Sequence, residues 1–235
     1  MKVITNSKLI KRNKKIGQIT TLVALGILGL GLYVSFAKPE NIALTFGALL
    51  VGFILTQIGV YYGNRWGRSP RPDEVITTSL KGLEERNSLY NYKVGASHLL
   101  VGPTGIWLLL PITVPGDIYY EEDRERFRQK GGNFYLKLFG QESLGKPEAD
   151  VRYATEDFKK YIHKNYPDTI LPEPQAILVF TNKKATLHVE GSPIPAVTSE
   201  KLKDFIRKQP KDRWLPGMTA LQEFQKALPQ EDEID

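Results

Sequence analysis

The side chains that are able to perform chemistry are few in this 235-residue chain. The absence of cysteine excludes disulfides, thiolate metal sites and cysteine nucleophiles. The three histidines, His98, His163 and His188, are too far apart in sequence to form a local metal motif. The sequence contains neither a Gly-x4-Gly-Lys-Ser/Thr phosphate loop nor a Gly-x-Ser-x-Gly elbow. We therefore expect no cofactor and no conventional metal site.

Ser97 and His98 are a hydroxyl and an imidazole side by side, the residue types of a nucleophile and its base. They fall in a predicted strand, where adjacent side chains point to opposite faces of the sheet. The pair is therefore unsuited to proton transfer, and we expect His98 to be a hydrogen-bonded core or edge histidine.

Carboxylates cluster after the predicted central strands, at Asp117, Glu121, Glu122 and Asp123. Hard oxygen ligands of this kind can hold Mg²⁺, but a charged run is more often a solvated loop. The triplet Asp157-Phe158-Lys159 has an acid-x-lysine form, yet it lies in a predicted helix, where exposed pairs of opposite charge are common. Both groups are expected to be surface features.

The formal net charge of +6 is divided very unevenly along the chain. Residues 1 to 72 hold ten basic side chains and one acidic side chain, a net of +9, which leaves 22 basic and 25 acidic residues in the remainder, a net of −3. A mildly acidic domain repels polyphosphates. Nucleic acid is therefore an unfavoured partner.

Two runs of 21 residues, Ile16 to Phe36 and Ile42 to Tyr62, contain no charged side chain. A helix of that length rises about 31 Å, which is enough to cross the hydrocarbon core of a bilayer. The polar residues 37 to 41 between them include Pro39 and suit a tight turn. The pattern predicts a transmembrane helical hairpin with the lipid bilayer as its partner.

Basic residues flank the two runs at their outer ends, and the turn between them holds only one. Cations next to membrane helices are retained on the cytoplasmic face, so both termini are predicted to be cytoplasmic. Tyr61, Tyr62 and Trp66 suit an aromatic belt at the membrane surface. The predicted contacts to lipid headgroups are Lys11, Arg12, Lys14, Lys15, Arg65, Arg68 and Arg71.

Small residues recur every seven positions in both runs, which places them on one stripe of each helix and allows close backbone approach. The predicted packing residues are Gly17, Ala24 and Gly31 in the first helix and Gly52 and Gly59 in the second. Two alternatives remain. One is a hairpin buried in a soluble protein, and the other is a signal peptide cleaved after Ala37, which would leave the second helix as an anchor.

The predicted organisation is a basic cytoplasmic segment (1–15), the hairpin (16–63), a basic linker (64–73), an α/β domain (74–208), and an amphipathic segment with an acidic tail (209–235). Periodicity within the domain predicts alternating helices and buried strands, hence three layers. The predicted helices span 73–87, 148–165, 198–208 and 219–228, and the predicted strands span 98–101, 106–110, 117–120, 134–138 and 175–181, with an exposed excursion over 121–130.

Parts of this domain resemble the nuclease-related domain (NERD) family, whose fold is of the restriction-endonuclease type. The likeness covers about residues 74 to 208 and rests on the order and spacing of several segments. These segments are Leu89-Tyr-Asn-Tyr92, the run from Ser97 to Leu110, Leu144-Gly-Lys-Pro147 ahead of a helix, and Leu178-Val-Phe-Thr-Asn182.

The resemblance implies a metal-dependent nuclease, in which an acidic residue precedes the first strand and an acid-x-lysine pair ends the second. The carboxylates would hold Mg²⁺ and the lysine would help to position water. The matching positions here are Ser97, Leu110 and Ile112, which carry neither carboxylate nor amine. The family site is therefore degenerate at these positions, with no catalytic residue or metal ligand.

The first hypothesis is a non-catalytic, membrane-tethered domain that serves as a scaffold or as a subunit of a membrane assembly, with a protein partner or a second copy as its ligand. The exposed aromatics expected to contact that partner are Trp107, Trp214, Tyr119 and Tyr120. The alternatives are a nuclease whose metal site has relocated to Asp117 and Glu122, and a nucleic-acid tether that does not cleave.

Overall fold

The computed structural model describes residues 1–132, 143–167, 173–210 and 218–229. The chain forms two compact units, one of residues 7–71 and one that combines residues 1–6 with the chain from Pro72 onward. The prediction of two long apolar helices followed by an α/β domain is confirmed. The first six residues, however, belong to the α/β unit.

The hairpin unit consists of α1 (Ser7–Ala37) and α2 (Ile42–Tyr62), followed by a π-helical turn at Gly63–Gly67. By length and composition, both helices are long and apolar enough to cross a membrane. Helix α1 begins nine residues before the predicted span, because the lysines and arginine ahead of it are good helix formers. The predicted linker likewise begins as a helical turn that continues α2.

The α/β unit contains nine strands and four helices among the described residues. Its strands are β1 (Lys2–Thr5), β2 (Ser88–Lys93), β3 (Ala96–Gly102), β4 (Gly105–Ile112), β5 (Gly116–Glu121), β6 (Arg126–Lys130), β7 (Gln175–Phe180), β8 (Ala185–His188) and β9 (Ala196–Thr198). Its helices are α3 (Pro72–Ser79), α4 (Pro147–Asn165), α5 (Leu202–Lys208) and α6 (Met218–Ala227).

The main sheet has the strand order β1-β2-β3-β4-β7-β9. Strands β2, β3 and β4 pair antiparallel, whereas β1, β7 and β9 join their neighbours in parallel. A second, smaller sheet has the order β6-β5-β8. The central strands β3 and β4 are buried on both faces, which explains their continuous apolar sequence.

Helices cover both faces of the main sheet. Leu99 and Leu108 point to the face that packs against Phe158 of α4 and Phe224 of α6. The alternate positions, such as Leu100, point to the other face, which packs against α3 and α5. The observed arrangement is a helix, sheet, helix stack. A third apolar cluster joins the smaller sheet to β7.

Two predictions within the α/β unit are wrong, and one strand was missed. Helix α3 ends at Ser79 and not near residue 87, because Gly82 adopts a positive φ of 85° that ends the helical path. The segment predicted as an exposed excursion contains β6, whose Phe127 is buried against the smaller sheet. Strand β1 was not predicted. The predicted strand at 134–138 and Trp214 lie outside the described residues.

Candidate functional site

Two of the three positions that the sequence resemblance matched to a metal site, Leu110 and Ile112, lie in an apolar corner of the structure. Leu110 and Ile112 of β4 pair with Leu178 and Phe180 of β7 and pack among buried aliphatic and aromatic side chains. Ser97 is exposed near the start of β3. Neither leucine nor isoleucine can coordinate a cation or move a proton.

Two hydroxyls lie at that end of β4. The side chains of Thr113 and Thr181 lie 2.7 Å apart, and the Thr181 hydroxyl also donates to the backbone carbonyl of Ile112 at 3.3 Å. Neutral hydroxyls that bond to each other and to the backbone hold the β4 and β7 ends together. They do not supply the two anionic ligands that a magnesium site requires.

A buried polar cluster lies on the α3 face of the sheet, centred on His98. Its Nδ1 donates to the side-chain oxygen of Asn91 at 2.8 Å, since an amide oxygen can only accept. The Asn91 amide nitrogen donates to the hydroxyls of Thr5 at 3.2 Å and Thr77 at 3.3 Å. His98 is thus a hydrogen-bonded core residue, as the alternation of the strand predicted, while Ser97 faces solvent.

Tyr92 extends this cluster to the two chain segments that flank the hairpin. Its backbone carbonyl accepts a hydrogen bond of 3.3 Å from the Asn6 side chain, and its hydroxyl donates to the buried carboxylate of Asp73 at 3.4 Å. The Tyr92 ring also meets the His98 ring edge-on, with centroids 4.9 Å apart. Tyr92 itself has a positive φ of 56°, a conformation that is uncommon for a bulky residue.

Two of the carboxylates that follow the central strands, Asp117 and Glu121, have basic neighbours. Asp117 lies 3.7 Å from Nε2 of His188, and Glu121 pairs with Arg128 at 2.8 Å and Arg126 at 3.2 Å. The hydrogen bond from Arg128 lowers the pKa of the Glu121 carboxyl. Within the described ranges, no group of three or more Asp, Glu or His side chains is placed to hold a metal ion.

The acid-x-lysine triplet at Asp157-Phe158-Lys159 lies on α4. Phe158 is buried in the core, whereas the two charged side chains project into solvent. Lys159 pairs with Glu173, and Asp157 pairs with Lys160 at 3.9 Å. The triplet therefore forms an exposed charged surface around one core residue, as its helical setting predicted.

Three of the four aromatics expected to contact a partner make intramolecular contacts, and the fourth, Trp214, lies outside the described residues. Trp107 is 2% exposed and donates its indole N–H to Thr104 at 3.2 Å, so it belongs to the core and not to a docking surface. The Tyr119 ring stacks on His188 at 4.6 Å and has the Lys130 ammonium 4.5 Å from its centroid. Tyr120 packs edge-on against Phe127.

A half-open cavity of about 260 Å³ lies on the far side of the domain, beside the turn between β3 and β4. Glu84 and Arg207 supply its charged side chains, and Arg207 donates to the Gly82 carbonyl at 2.8 Å. Because its charges are of opposite sign and partly engaged, the cavity does not indicate one class of ligand.

The small residues of the hairpin lie where α1 and α2 meet. Gly17, Ala24, Gly31, Gly52 and Gly59 are all buried. A Cβ atom at Gly31 would stand 2.7 Å from Cβ of Ala48, and one at Gly59 would stand 2.4 Å from the Thr21 hydroxyl. Only glycine allows the two helices to approach this closely.

The predicted headgroup contacts fall into two groups. Lys11, Arg12, Lys14 and Lys15 lie on the first turns of α1, and Arg65, Arg68 and Arg71 follow α2. Arg65 places its guanidinium 5.6 Å from the centroid of the Trp66 ring. Trp66 is only 6% exposed, whereas Tyr61 is exposed, so Tyr61 is the better placed of the two for a membrane surface.

Sequence reasoning missed the polar cluster around Asn91 and Tyr92. The segment Leu89-Tyr-Asn-Tyr92 was used only for its resemblance to a family, and an asparagine within a strand carries no motif. The one available signal was the presence of an amide among otherwise apolar residues, which indicates a buried hydrogen-bond partner. The partner residues come from positions as distant as Thr5 and could not be identified.

No family model, curated protein or solved structure matches this chain. The functional interpretation therefore depends on the geometry of the two units.

Proposed function

We propose that this chain is a membrane-anchored protein whose α/β domain is a degenerate, non-catalytic relative of the NERD domain and acts as a scaffold or as a subunit of a membrane assembly. The observation that carries the proposal is the outer surface of the hairpin, which is apolar and exposed along both helices. In this proposal the α/β domain provides a binding surface and does not catalyse a reaction.

The side chains on that outer surface are large and aliphatic or aromatic. Phe36 is 81% exposed, and Leu22, Leu25 and Phe46 are each more than 65% exposed. Soluble proteins rarely expose contiguous apolar surface of this extent, whereas a bilayer accommodates it. The same exposure argues against a helical hairpin buried in a soluble protein.

The distribution of charge supports an orientation with both ends in the cytoplasm. Six cations precede the apolar part of α1, three follow α2, and Lys38 is the one cation in the turn between them. Lys and Arg beside membrane helices are retained on the cytoplasmic side. Seven of these flanking cations, those of residues 11–15 and 65–71, are the proposed contacts to anionic headgroups.

The apolar corner at Leu110 and Ile112 supports a non-catalytic role. A nuclease must stabilise charge on the attacked phosphate with a metal ion or cationic donors. Among the described residues, Leu110 and Ile112 supply no such group, Glu121 is engaged with two arginines, and Asp117 lies near His188. A structural role for the domain accounts for a folded core with an apolar corner.

The membrane part of the proposal is tested by alkaline extraction and flotation of the expressed chain. We expect the full chain to remain with the membranes and to float with lipid. Release of the chain into the alkaline supernatant would contradict the proposed anchoring. A disruptive variant with Leu50→Arg and Phe53→Arg places two charges on the exposed face of α2 and should weaken retention in the membrane.

The non-catalytic part is tested by incubating the detergent-purified chain with plasmid and with single-stranded nucleic acid in Mg²⁺ or Mn²⁺. We expect no cleavage above that of a buffer control. Cleavage that disappears in the Asp117→Asn, Glu122→Gln variant would contradict the proposal and favour a relocated nuclease site. A monodisperse monomer without stoichiometric partners would count against the role in an assembly.

A further inference from the structure

We infer that the hairpin is an insertion within the α/β domain and that β1 completes the main sheet only after both hairpin helices have crossed the membrane. The inference rests on the proposed membrane anchoring. It adds that completion of the domain depends on membrane insertion of both helices, a coupling that the charge pattern alone does not predict.

The first observation that supports the insertion is the pairing of β1 with β2. Residues Lys2 to Thr5 align in parallel with Ser88 to Asn91, although the entire hairpin separates them in sequence. Backbone hydrogen bonds continue beyond both ends of the ladder, from Lys2 N to Asn87 O at 2.9 Å and from Asn6 N to Asn91 O at 3.0 Å. Strand β1 is therefore an integral part of the sheet.

Side chains make β1 part of the core as well. Ile4 is 1% exposed and packs in the same apolar cluster as Tyr90. On the opposite face, the hydroxyl of Thr5 accepts a hydrogen bond from Asn91, which in turn bonds to His98. Loss of β1 would expose apolar surface and leave a buried amide with one partner fewer.

Tyr92 fastens the two segments from which the hairpin departs and to which it returns. Asn6, the residue before α1, donates to its backbone carbonyl, and Asp73, near the start of α3, accepts from its hydroxyl. The left-handed conformation of Tyr92 is a strained one that persists where surrounding contacts enforce it. We call Asn6, Tyr92 and Asp73 the clasp.

These contacts constrain topology because a strand cannot pair through a bilayer. If β1 and the rest of the domain are in one sheet, residues 1–6 and residues 72 onward lie on the same side, and the hairpin crosses an even number of times. A chain with only α1 across the membrane leaves β1 on the opposite side. Cleavage after Ala37 would remove β1 from the domain, which argues against the signal-peptide alternative.

The experiment uses the natural absence of cysteine. The variant Lys2→Cys, Ser88→Cys places two thiols at paired positions of β1 and β2 in the full chain. Membranes that contain this variant are oxidised, and intramolecular cross-linking is measured by gel mobility. We expect cross-linking of most of the chain, and background cross-linking in the control Lys2→Cys, Ser97→Cys, whose second thiol lies on a different strand.

The coupling is tested by adding Leu50→Arg and Phe53→Arg to the paired-cysteine variant. Because charged residues in the span oppose insertion of α2, cross-linking should fall at least about five-fold and the domain should become sensitive to protease. The control Leu50→Ala, Phe53→Ala should keep both properties. Full cross-linking in a chain shown to cross the membrane once would overturn the inference.

Other outcomes are equally decisive. Background cross-linking of the Lys2→Cys, Ser88→Cys variant in alkali-resistant membranes would overturn the insertion while leaving the anchoring intact. Cross-links that join two copies would also overturn it, because β1 would then complete another chain's sheet. Efficient cross-linking in a chain that alkali releases would instead contradict the anchoring on which the coupling depends.

Discussion

The hydroxyl of Tyr92 in β2 lies 3.4 Å from Oδ1 of Asp73, which stands where the chain re-enters the α/β unit after the hairpin. Asp73 is 3% exposed, so its carboxylate depends on protein donors in place of water. The backbone carbonyl of the same tyrosine accepts a hydrogen bond from the side chain of Asn6, which precedes the hairpin in sequence. The clasp ties the two chain segments that flank the hairpin to one strand, β2.

Replacement of Tyr92 by phenylalanine tests the clasp directly. The Tyr92→Phe variant removes one donor from a buried carboxylate and should lower the free energy of unfolding by about 1–3 kcal/mol. Thermal unfolding in mild detergent measures the change. The control Tyr153→Phe alters an exposed tyrosine on α4 and should leave the midpoint unchanged. Equal midpoints for the two variants would show that the hydrogen bond contributes nothing.

Truncation of Ile4 tests whether β1 contributes to the core. The Ile4→Ala variant removes a fully buried side chain and should cost about 2–4 kcal/mol. Val3, the neighbouring residue, is 37% exposed, so Val3→Ala should cost far less. Denaturant unfolding followed by tryptophan fluorescence compares the two. A core role for β1 is excluded if both variants unfold at the wild-type midpoint.

Enlargement of Gly59 tests the helix contact inside the hairpin. A Cβ at this position would meet the Thr21 hydroxyl at 2.4 Å and the Thr21 Cα at 3.3 Å, so Gly59→Val should force α1 and α2 apart at a cost of about 1–3 kcal/mol. Gly47 has no atom within 4 Å of its Cβ position, and Gly47→Val is the matched control. Resistance to thermal unfolding in detergent should fall only for Gly59→Val.

The arginine pair on Glu121 predicts a change in stability at acidic pH. Because Arg128 lowers the pKa of Glu121 in the folded state, its stabilisation is complete above the ordinary value of 4.5 and is lost as pH falls through the lower, folded-state value. Glu121→Gln should therefore reduce the loss of stability in that acidic range. Glu156→Gln, at an exposed position on α4, should not. An unchanged acid profile for Glu121→Gln would contradict the assignment.

Local patterns predicted the elements whose formation depends on their own residues. Helix α4 spans Pro147–Asn165 where 148–165 was predicted, and β7 spans Gln175–Phe180 where 175–181 was predicted. Proline at the first turn and a stripe containing Phe158 and Ile162 determine α4, while a continuous apolar run determines β7. The lengths of the two uncharged runs similarly predicted the hairpin helices.

Long-range pairing was beyond the reach of local patterns. Strand β1 has four residues, pairs with a segment 86 positions later and is followed closely by a basic helix, so its short β-branched run was too weak a signal to predict a strand. Strand β6 has the sequence Arg-Phe-Arg-Gln-Lys, in which one buried phenylalanine is concealed among charges. The polar cluster was not predicted for the same reason, because Thr5, Thr77 and His98 come together only once β1 and α3 are in place.

Cysteine accessibility in sealed vesicles of known orientation tests the central account most directly. Single cysteines are introduced at Lys2, Glu40 and Glu200, three exposed positions before, within and after the hairpin. A membrane-impermeant maleimide should label positions 2 and 200 from the same side and position 40 only from the other side. Labelling of all three from one side would contradict the membrane hairpin, and labelling of 2 and 200 from opposite sides would contradict the insertion of the hairpin within the domain.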